Sequence, residues 1–445
     1  MFMEEKMKAA VKIVVLCFLA LIVSCKEKGP TQADLYEIKM RENAQKVSDY
    51  AWKLRTQKKE AYNDFINSLS LEEKISQLFI VNLAGNQTFI PVEQLDDSNF
   101  QNKALIPGGY LFFGFNLAET PKEIMGFTSS INSYCIDNSK IPPFLAIDHE
   151  GGVVNRLKSI NAKLISCQEV AEKLSTQEAY KLYELQANQL YELGFTMNLA
   201  PVTEACTKDN KDFLGDRSFG SLENVIKYSK ECINSYQKNK IAAIVKHFPG
   251  NTNTDPHTGL PLIKAEGEKL EELLAPFKAL IAEAPVGILM SHAIVDSVDK
   301  GVPSCLSKIW VTKILREEYG YNGIIFSDDI FMAALAKNGY PEEKAVVLAL
   351  EAGIDCIMVS EKRIIKSVRI LEKKAQEDKA FEERINESLK RIIDYKLKCG
   401  LLEYQKTGDG KLKISGKKMT ESLDERLKNF NTAKEENQDF NKEHL

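Results

Sequence analysis

Histidine is scarce in this chain, five in 445 residues. Nine cysteines are scattered without a C-x-x-C pair and without a Cys/His grouping at zinc spacing. That pattern argues against a structural zinc site and against a disulfide scaffold. Most of the cysteines, such as Cys356 in IDCIMVS, read as buried free thiols. No basic cluster is interleaved with aromatics, and the net charge is −4, so the chain does not read as a nucleic-acid binder. No Gly-rich dinucleotide fingerprint follows the first strand, and no phosphate loop is present. Nothing calls for a metal or an organic cofactor. Only one apolar run stands near a terminus, residues 13–23, and it is too short to span a bilayer. Apolar content of 44% and charged content of 27% are ordinary for a globular protein.

That apolar run follows Lys6, Lys8 and Lys12 and ends in Ile22-Val23-Ser24-Cys25. A basic stretch before a short apolar core reads as a secretory signal. Its end looks like a bacterial lipobox, in which Cys25 becomes the lipidated first residue; a plain signal peptide is the alternative. Residues 1–25 are therefore expected to direct export and to leave a lipid anchor that does not span the membrane. The expected location is the cell envelope, periplasmic or outer surface. Residues 26–64 read as a polar tether and a leading helix.

From Ser70, which with Glu73 makes a capping box, apolar strands alternate with amphipathic helices. Strands are expected at 78–83, 109–115, 144–148, 196–200, 242–247, 287–292, 323–327 and 356–359. Helices are expected at 121–138, 168–193, 222–239, 264–284, 307–318, 342–352 and 364–398. Eight strands alternating with helices fit one α/β domain, a (β/α)8 TIM-type barrel over residues 65–404. A doubly wound open sheet is the alternative. Residues 405–445 are rich in Lys, Glu, Asp and Asn and read as a charged, solvated tail or frayed helix, with a docking tail as the alternative.

In such a barrel the reacting groups sit at the C-terminal strand ends. Distinctive polar residues fall there repeatedly. They include Asp148-His149-Glu150 with Arg156, then Asp216-Arg217, Lys246-His247, Ser291-His292 and Ser327-Asp328-Asp329. The stretch 246–257 reads KHFPGNTNTDPH and closes with Asp255-x-His257. A carboxylate beside an imidazole can fix its tautomer and tune it for acid–base work. Asp328 is the candidate nucleophile, and His257 with Asp255 the candidate acid–base. Asp148, Arg156, Arg217, Lys246 and His247 are candidates for holding hydroxyls. Charged hydrogen-bonding groups without a phosphate loop or a metal-ligand set point to a polyhydroxylated neutral ligand, a sugar. Purely structural roles compete: Arg217 pairing with Asp216 or Asp148, Lys246 as a buried ion-pair partner, Asp329 as a cap. For Glu150, His292 and Asp329 the structural role is preferred.

The ordered motifs IDHEGGVVNRL, NLAPV, GDRSFG, KHFPG, DPH and IIFSDDI resemble glycoside hydrolase family 3, in its bacterial β-N-acetylglucosaminidase branch. The resemblance runs over residues 69–400. It implies a (β/α)8 barrel and a retaining two-step mechanism with Asp328 as the nucleophile. It also implies His257 as acid–base oriented by Asp255, and sugar binding by Asp148, Arg156, Arg217, Lys246 and His247. In much of the wider family the acid–base carboxylate comes from a second domain, for which residues 405–445 leave too little chain. This chain departs in one loop. Asn251-Thr252-Asn253 stand where the family commonly has His-Gly-Asp, two intervening residues are missing, and Pro256 replaces Ser. A shorter loop with proline is stiffer, which bears on rate and substrate range.

The resemblance thus implies an exo-acting β-N-acetylhexosaminidase acting on peptidoglycan fragments or related glycans. The expected partners are a carbohydrate substrate and, through the lipid anchor, a membrane, with no nucleic acid and a monomeric state. A different family-3 β-glycosidase and a sugar-binding protein without catalysis are the competing readings.

Overall fold

The computed structural model describes residues 32–91, 105–255, 259–331, 333–359, 363–418 and 421–445, with side chains from residue 39. Eight parallel strands close into a cylinder: β1 (Phe79–Asn82), β2 (Gly109–Phe112), β3 (Phe144–Ile147), β4 (Met197–Asn198), β5 (Ala242–Phe248), β6 (Gly287–Met290), β7 (Ile324–Asp329) and β8 (Cys356–Val359). Each pairs with its neighbours in sequence. The ring closes where β1 pairs both β2, with Ile80 opposite Gly109, and β8, with Phe79 opposite Ile357. This is the expected (β/α)8 barrel, and each apolar run of the sequence overlaps one of its strands, β5 and β7 running on past the expected ends to Phe248 and Asp329. The open-sheet alternative fails because the cylinder leaves no edge.

Parallel strands covered on both faces need continuous apolar runs rather than alternation. Ile244, Val245, Ile288, Ile325 and Ile357 are accordingly sealed from solvent. At Gly287 a Cβ would meet Phe326 Cε2 at 2.5 Å, so only glycine lets β6 pass that ring. Outside the strands, several helices begin at reciprocal caps. The box expected at Ser70 forms, with Glu73 N–H donating to Ser70 Oγ at 3.2 Å and Ser70 N–H to Glu73 Oε2 at 2.7 Å. The helix expected over 168–193 is two, Cys167–Lys173 and Thr176–Glu192, because Ser175 caps the second. Likewise Asp378 splits 364–398 into Ile364–Glu377 and Lys379–Lys398.

The base of the barrel is tied by charge. Asp355, fully buried, accepts from Arg384 Nη2 at 2.8 Å, Arg391 Nη1 at 3.1 Å, Ser388 Oγ at 2.9 Å and the Ile325 N–H at 3.0 Å, and pairs with Arg316. Lys396, also buried, donates to Gln77 Oε1 at 2.7 Å and the Gly108 carbonyl at 2.9 Å. Burial lowers its pKa to about 7.

The expected solvated tail is not what residues 405–445 form. Strands Leu402–Lys406 and Leu412–Gly416 make an antiparallel hairpin, and Leu423–His444 is a helix packed on Thr176–Glu192. Phe430 and Ala433 are buried in that contact. The remaining attachment is polar, which is why composition alone misread it. Arg426 donates to the Glu192 carbonyl, and Asn437 Oδ1 accepts from Gln186 Nε2 at 2.7 Å and Gln189 Nε2 at 2.9 Å. Ahead of the barrel, Gln32–Ser68 is one long helix whose later part, at Ala61 and Phe65, joins the core. Among the described residues no helix is long and apolar enough to cross a membrane. Cys25 and the rest of the lipobox lie outside the described residues.

Candidate active site

A cavity of about 320 Å3 opens at the C-terminal mouth of the barrel. Every strand or its exit loop lends it a residue: Asn82, Leu111, Asp148, Leu199, Lys246, Leu289, Asp328 and Met358 among them. Two of the polar pairs are consecutive in sequence, although neighbouring strand residues ordinarily face opposite ways. Register slips explain both. Between Lys246 and Phe248 the β5–β6 ladder advances two residues on β5 for one on β6. Between Cys356 and Met358 it advances three on β7 for two on β8. At such bulges an extra residue is turned toward the same side, and Lys246 with His247, and Asp328 with Asp329, line one pocket.

The hairpin His149–Gly151 with Val154–Asn155 builds the next wall. Gly151 has φ of 102°, and a Cβ there would stand 2.2 Å from the Ile165 carbonyl oxygen, so the turn requires glycine. The turn delivers Glu150, which sequence reasoning assigned to structure, into the centre of the site. Lys246 Nζ lies 2.6 Å from Asp148 Oδ1 and 2.5 Å from Glu150 Oε1. Arg217 grips the same carboxylate from the other side, Nε to Oε2 at 2.8 Å and Nη2 to Oε1 at 3.0 Å. Arg217 therefore pairs with neither Asp216 nor Asp148, the partners its structural reading named. Burial, the largest influence on Glu150, favours the protonated acid. Lys246 and Arg217 together outweigh it and bring its pKa down to about 2. On Lys246 burial likewise works against the charge, and Asp148 and Glu150 reverse that, so its pKa is raised.

Glu204 escaped the sequence reading altogether. It stands six residues beyond β4 in an irregular stretch, with no periodicity to mark it. Almost fully buried, it accepts from His247 Nδ1 at 2.7 Å, from the Asn251 N–H at 2.7 Å and from Asn251 Nδ2 at 3.1 Å. The Nδ1 contact fixes which face His247 turns to the pocket. Phe213 packs edge-on against His247, ring centroids 6.3 Å apart, and beneath the Arg217 guanidinium at 5.6 Å. Phe213 is itself aimed by Asn253. That side-chain oxygen accepts from the N–H groups of Asp212 at 2.9 Å and Phe213 at 3.4 Å, and Nδ2 donates to the Lys208 carbonyl at 3.2 Å. The altered loop is thus fastened to the loop after β4 by two asparagines.

Asp328 lies on the pocket wall with Oδ1 accepting the Asp329 N–H at 2.8 Å. Asp329 Oδ1 in turn accepts the Phe331 N–H at 2.9 Å, a turn ahead of the helix Ala333–Lys337. His292 is buried away from the cavity against Cys305 Sγ at 3.1 Å and the Asp329 carbonyl at 3.0 Å. Arg156 lines the cavity, and among the described residues its buried Nε has no hydrogen-bond partner. Of the eight enzyme-site candidates, Asp148, Arg156, Arg217, Lys246, His247 and Asp328 meet in one cavity. Asp255 is exposed on the loop beyond Asn253, and His257 lies outside the described residues. Among the described residues no group of three or more acidic, histidine or cysteine side chains is placed to hold a metal ion.

A closed parallel barrel with carboxylates and cations converging at its C-terminal mouth defines a (β/α)8 enzyme. The model of the glycosyl hydrolase family 3 N-terminal domain matches residues 70–395, and the chain belongs to that family. A β-hexosaminidase of Methylococcus capsulatus is 34% identical over 262 residues, covering 57% of this chain and 75% of that protein. The β-hexosaminidase LpqI of Mycobacterium tuberculosis is 29% identical over 238 residues, 52% of this chain and less than two thirds of that protein at 61%. Among solved structures, a family 3 β-N-acetylglucosaminidase from Paenibacillus superposes with a TM-score of 0.67 at 26% identity, over 82% of this chain and 68% of that one. Mycobacterium tuberculosis LpqI superposes with a TM-score of 0.63 at 26% identity, over 74% and 94%.

Proposed function

We propose that this chain is a retaining exo-β-N-acetylhexosaminidase that removes terminal β-linked N-acetylglucosamine from peptidoglycan fragments or related glycans. The observation that carries the reading is the convergence in one cavity of Asp328 with the Asp148–Lys246–Glu150–Arg217 network. A hydroxyl both donates and accepts, and a ring of alternating carboxylates and cations offers each a partner. Arg156 and His247 add donors on the same wall. Asp328 attacks the anomeric carbon, the bond to the leaving oxygen breaks, and an acid protonates that oxygen. Water then attacks the glycosyl-enzyme and restores the carboxylate. His257, two residues beyond Asp255 in the sequence, is the proposed acid and then base, oriented by Asp255. Names borne by the relatives, β-hexosaminidase and β-N-acetylglucosaminidase, favour the N-acetyl sugar over glucose.

A lipid on Cys25, followed by the polar residues 26–31 and the helix Gln32–Ser68, would hold the barrel at a membrane surface of the cell envelope. The experiment is turnover of 4-nitrophenyl N-acetyl-β-glucosaminide beside the matching β-glucoside, with wild type and Asp328→Asn. Selective release from the N-acetyl substrate is expected. The substitution should lower that release at least about a thousandfold, as expected on losing a covalent nucleophile. Equal rates for the two proteins would remove Asp328 from the mechanism, and release from the glucoside alone would overturn the substrate.

A further inference from the structure

Phe115 has no part in the barrel core or in the contacts described so far. Its ring is 64% exposed, which for one isolated side chain means little. Two features set it apart. Its ring lies nearly parallel to that of Phe113, at 9° with centroids 5.8 Å apart, and Phe113 lines the cavity. The turn that carries it, Gly114–Asn116, is also firmly held. Asn116 is fully buried, accepts the Phe113 N–H at 2.9 Å, and donates to the Leu83 carbonyl at 2.8 Å and the Gly85 carbonyl at 2.9 Å. One asparagine therefore ties the loop after β1 to the loop after β2. Phe115 thus stands one ring beyond the cavity-lining Phe113, on a support that costs nothing further to order when something lands on it.

The cavity floor is the packed barrel, so whatever follows the bond being cut must leave through the mouth. The polar network sits inside, where the first sugar binds, while beside it Phe115, stacked on Phe113, presents one exposed aromatic face. A pyranose ring presents C–H groups on its face, and an aromatic face is electron-rich and attracts them. We propose that the exposed face of Phe115, backed by Phe113, is a shelf for the leaving-group sugar, the first ring beyond the scissile bond. The shelf makes the chain prefer glycans over glycosides of small alcohols. The proposal rests on the hexosaminidase reading and adds to it a second sugar-binding position.

The test compares wild type, Phe115→Ala and Phe115→Tyr on N,N′-diacetylchitobiose and on methyl N-acetyl-β-glucosaminide. The alanine variant should lose about fivefold in kcat/KM on the disaccharide, the size of one aromatic contact. It should leave the methyl glycoside unchanged, and the tyrosine variant should match wild type. Equal loss on both substrates, or on neither, overturns the shelf. So does a change in oligomer size or in vesicle binding with the disaccharide rate intact, which would give Phe115 to a second copy or to lipid. If wild type cleaves neither substrate, the hexosaminidase reading has failed. The shelf is then judged by calorimetric titration of chitobiose: weaker binding to Phe115→Ala upholds it, and equal binding overturns it.

Discussion

Glu150 shows how far a single residue's role depends on the backbone beneath it. As the residue after His149 at a strand end it reads as structural. The glycine turn behind it instead places it between Lys246 and Arg217, with its side chain 1% exposed. Removing its charge leaves Lys246 with Asp148 and takes away the carboxylate that Arg217 grips. Glu150→Gln is expected to cost about 3 kcal/mol of stability at pH 7, as for breaking a buried ion pair, read by urea denaturation. Its pKa is about 2 in the fold against 4.5 unperturbed. That stabilisation is therefore complete above pH 4.5 and is lost as pH falls from there toward 2. The gap between wild type and variant should narrow at pH 3; an unchanged gap would mean that Glu150 does not bear the charge. The sequence marked Lys246, His247, Asp328 and Asp329 as strand-end residues, but not that both members of each pair share a wall. Bulges depend on how a strand meets its neighbour, and no periodicity within one strand records that.

At the scale of elements, the eight strands were legible because a parallel barrel demands unbroken apolar runs, and those runs are local. Loops offered no such signal, so Glu204 went unseen and the joining of the loops after β4 and β5 could not be anticipated. Asn253 makes that joint, and its side-chain oxygen aims Phe213 at His247 and Arg217. Asn253→Ala should raise KM for the N-acetylglucosaminide about fivefold with kcat little changed, as the loss of about one hydrogen bond in positioning predicts. Asn253→Asp keeps an acceptor at the start of the helix Lys211–Leu214 and should restore KM. A kcat effect as large as the KM effect, or no rescue by aspartate, would show that the joint does something other than set the wall.

Over the whole molecule, the least legible part was the last. The helix Leu423–His444 looks polar from end to end, and its attachment uses amides and a guanidinium more than apolar side chains. Asn437 connects through Gln186 Oε1 to His149 Nε2 at 2.9 Å, and the Asn198 side chain holds the His149 N–H and carbonyl at 3.0 and 2.9 Å. His149 is neutral in this setting, since burial lowers its pKa to about 4. A buried chain of polar groups thus runs from the final helix to the strand end that bears Asp148 and Glu150. Asn437→Leu strands a donor on each of two buried glutamines and is expected to cost about 2 kcal/mol, seen as a lower midpoint in thermal unfolding. A midpoint equal to wild type would mean that the helix is held by its apolar contacts alone.

The partners Gln189 and Asn437 are 248 residues apart in the chain. During synthesis the first four strands and their helices are complete long before the residues that cover Thr176–Glu192 exist. The half-built barrel must wait with that face bare, in the state most open to misassembly. Any arrest of translation short of Leu423–His444 leaves a product that has every candidate site residue yet lacks the helix that covers Thr176–Glu192.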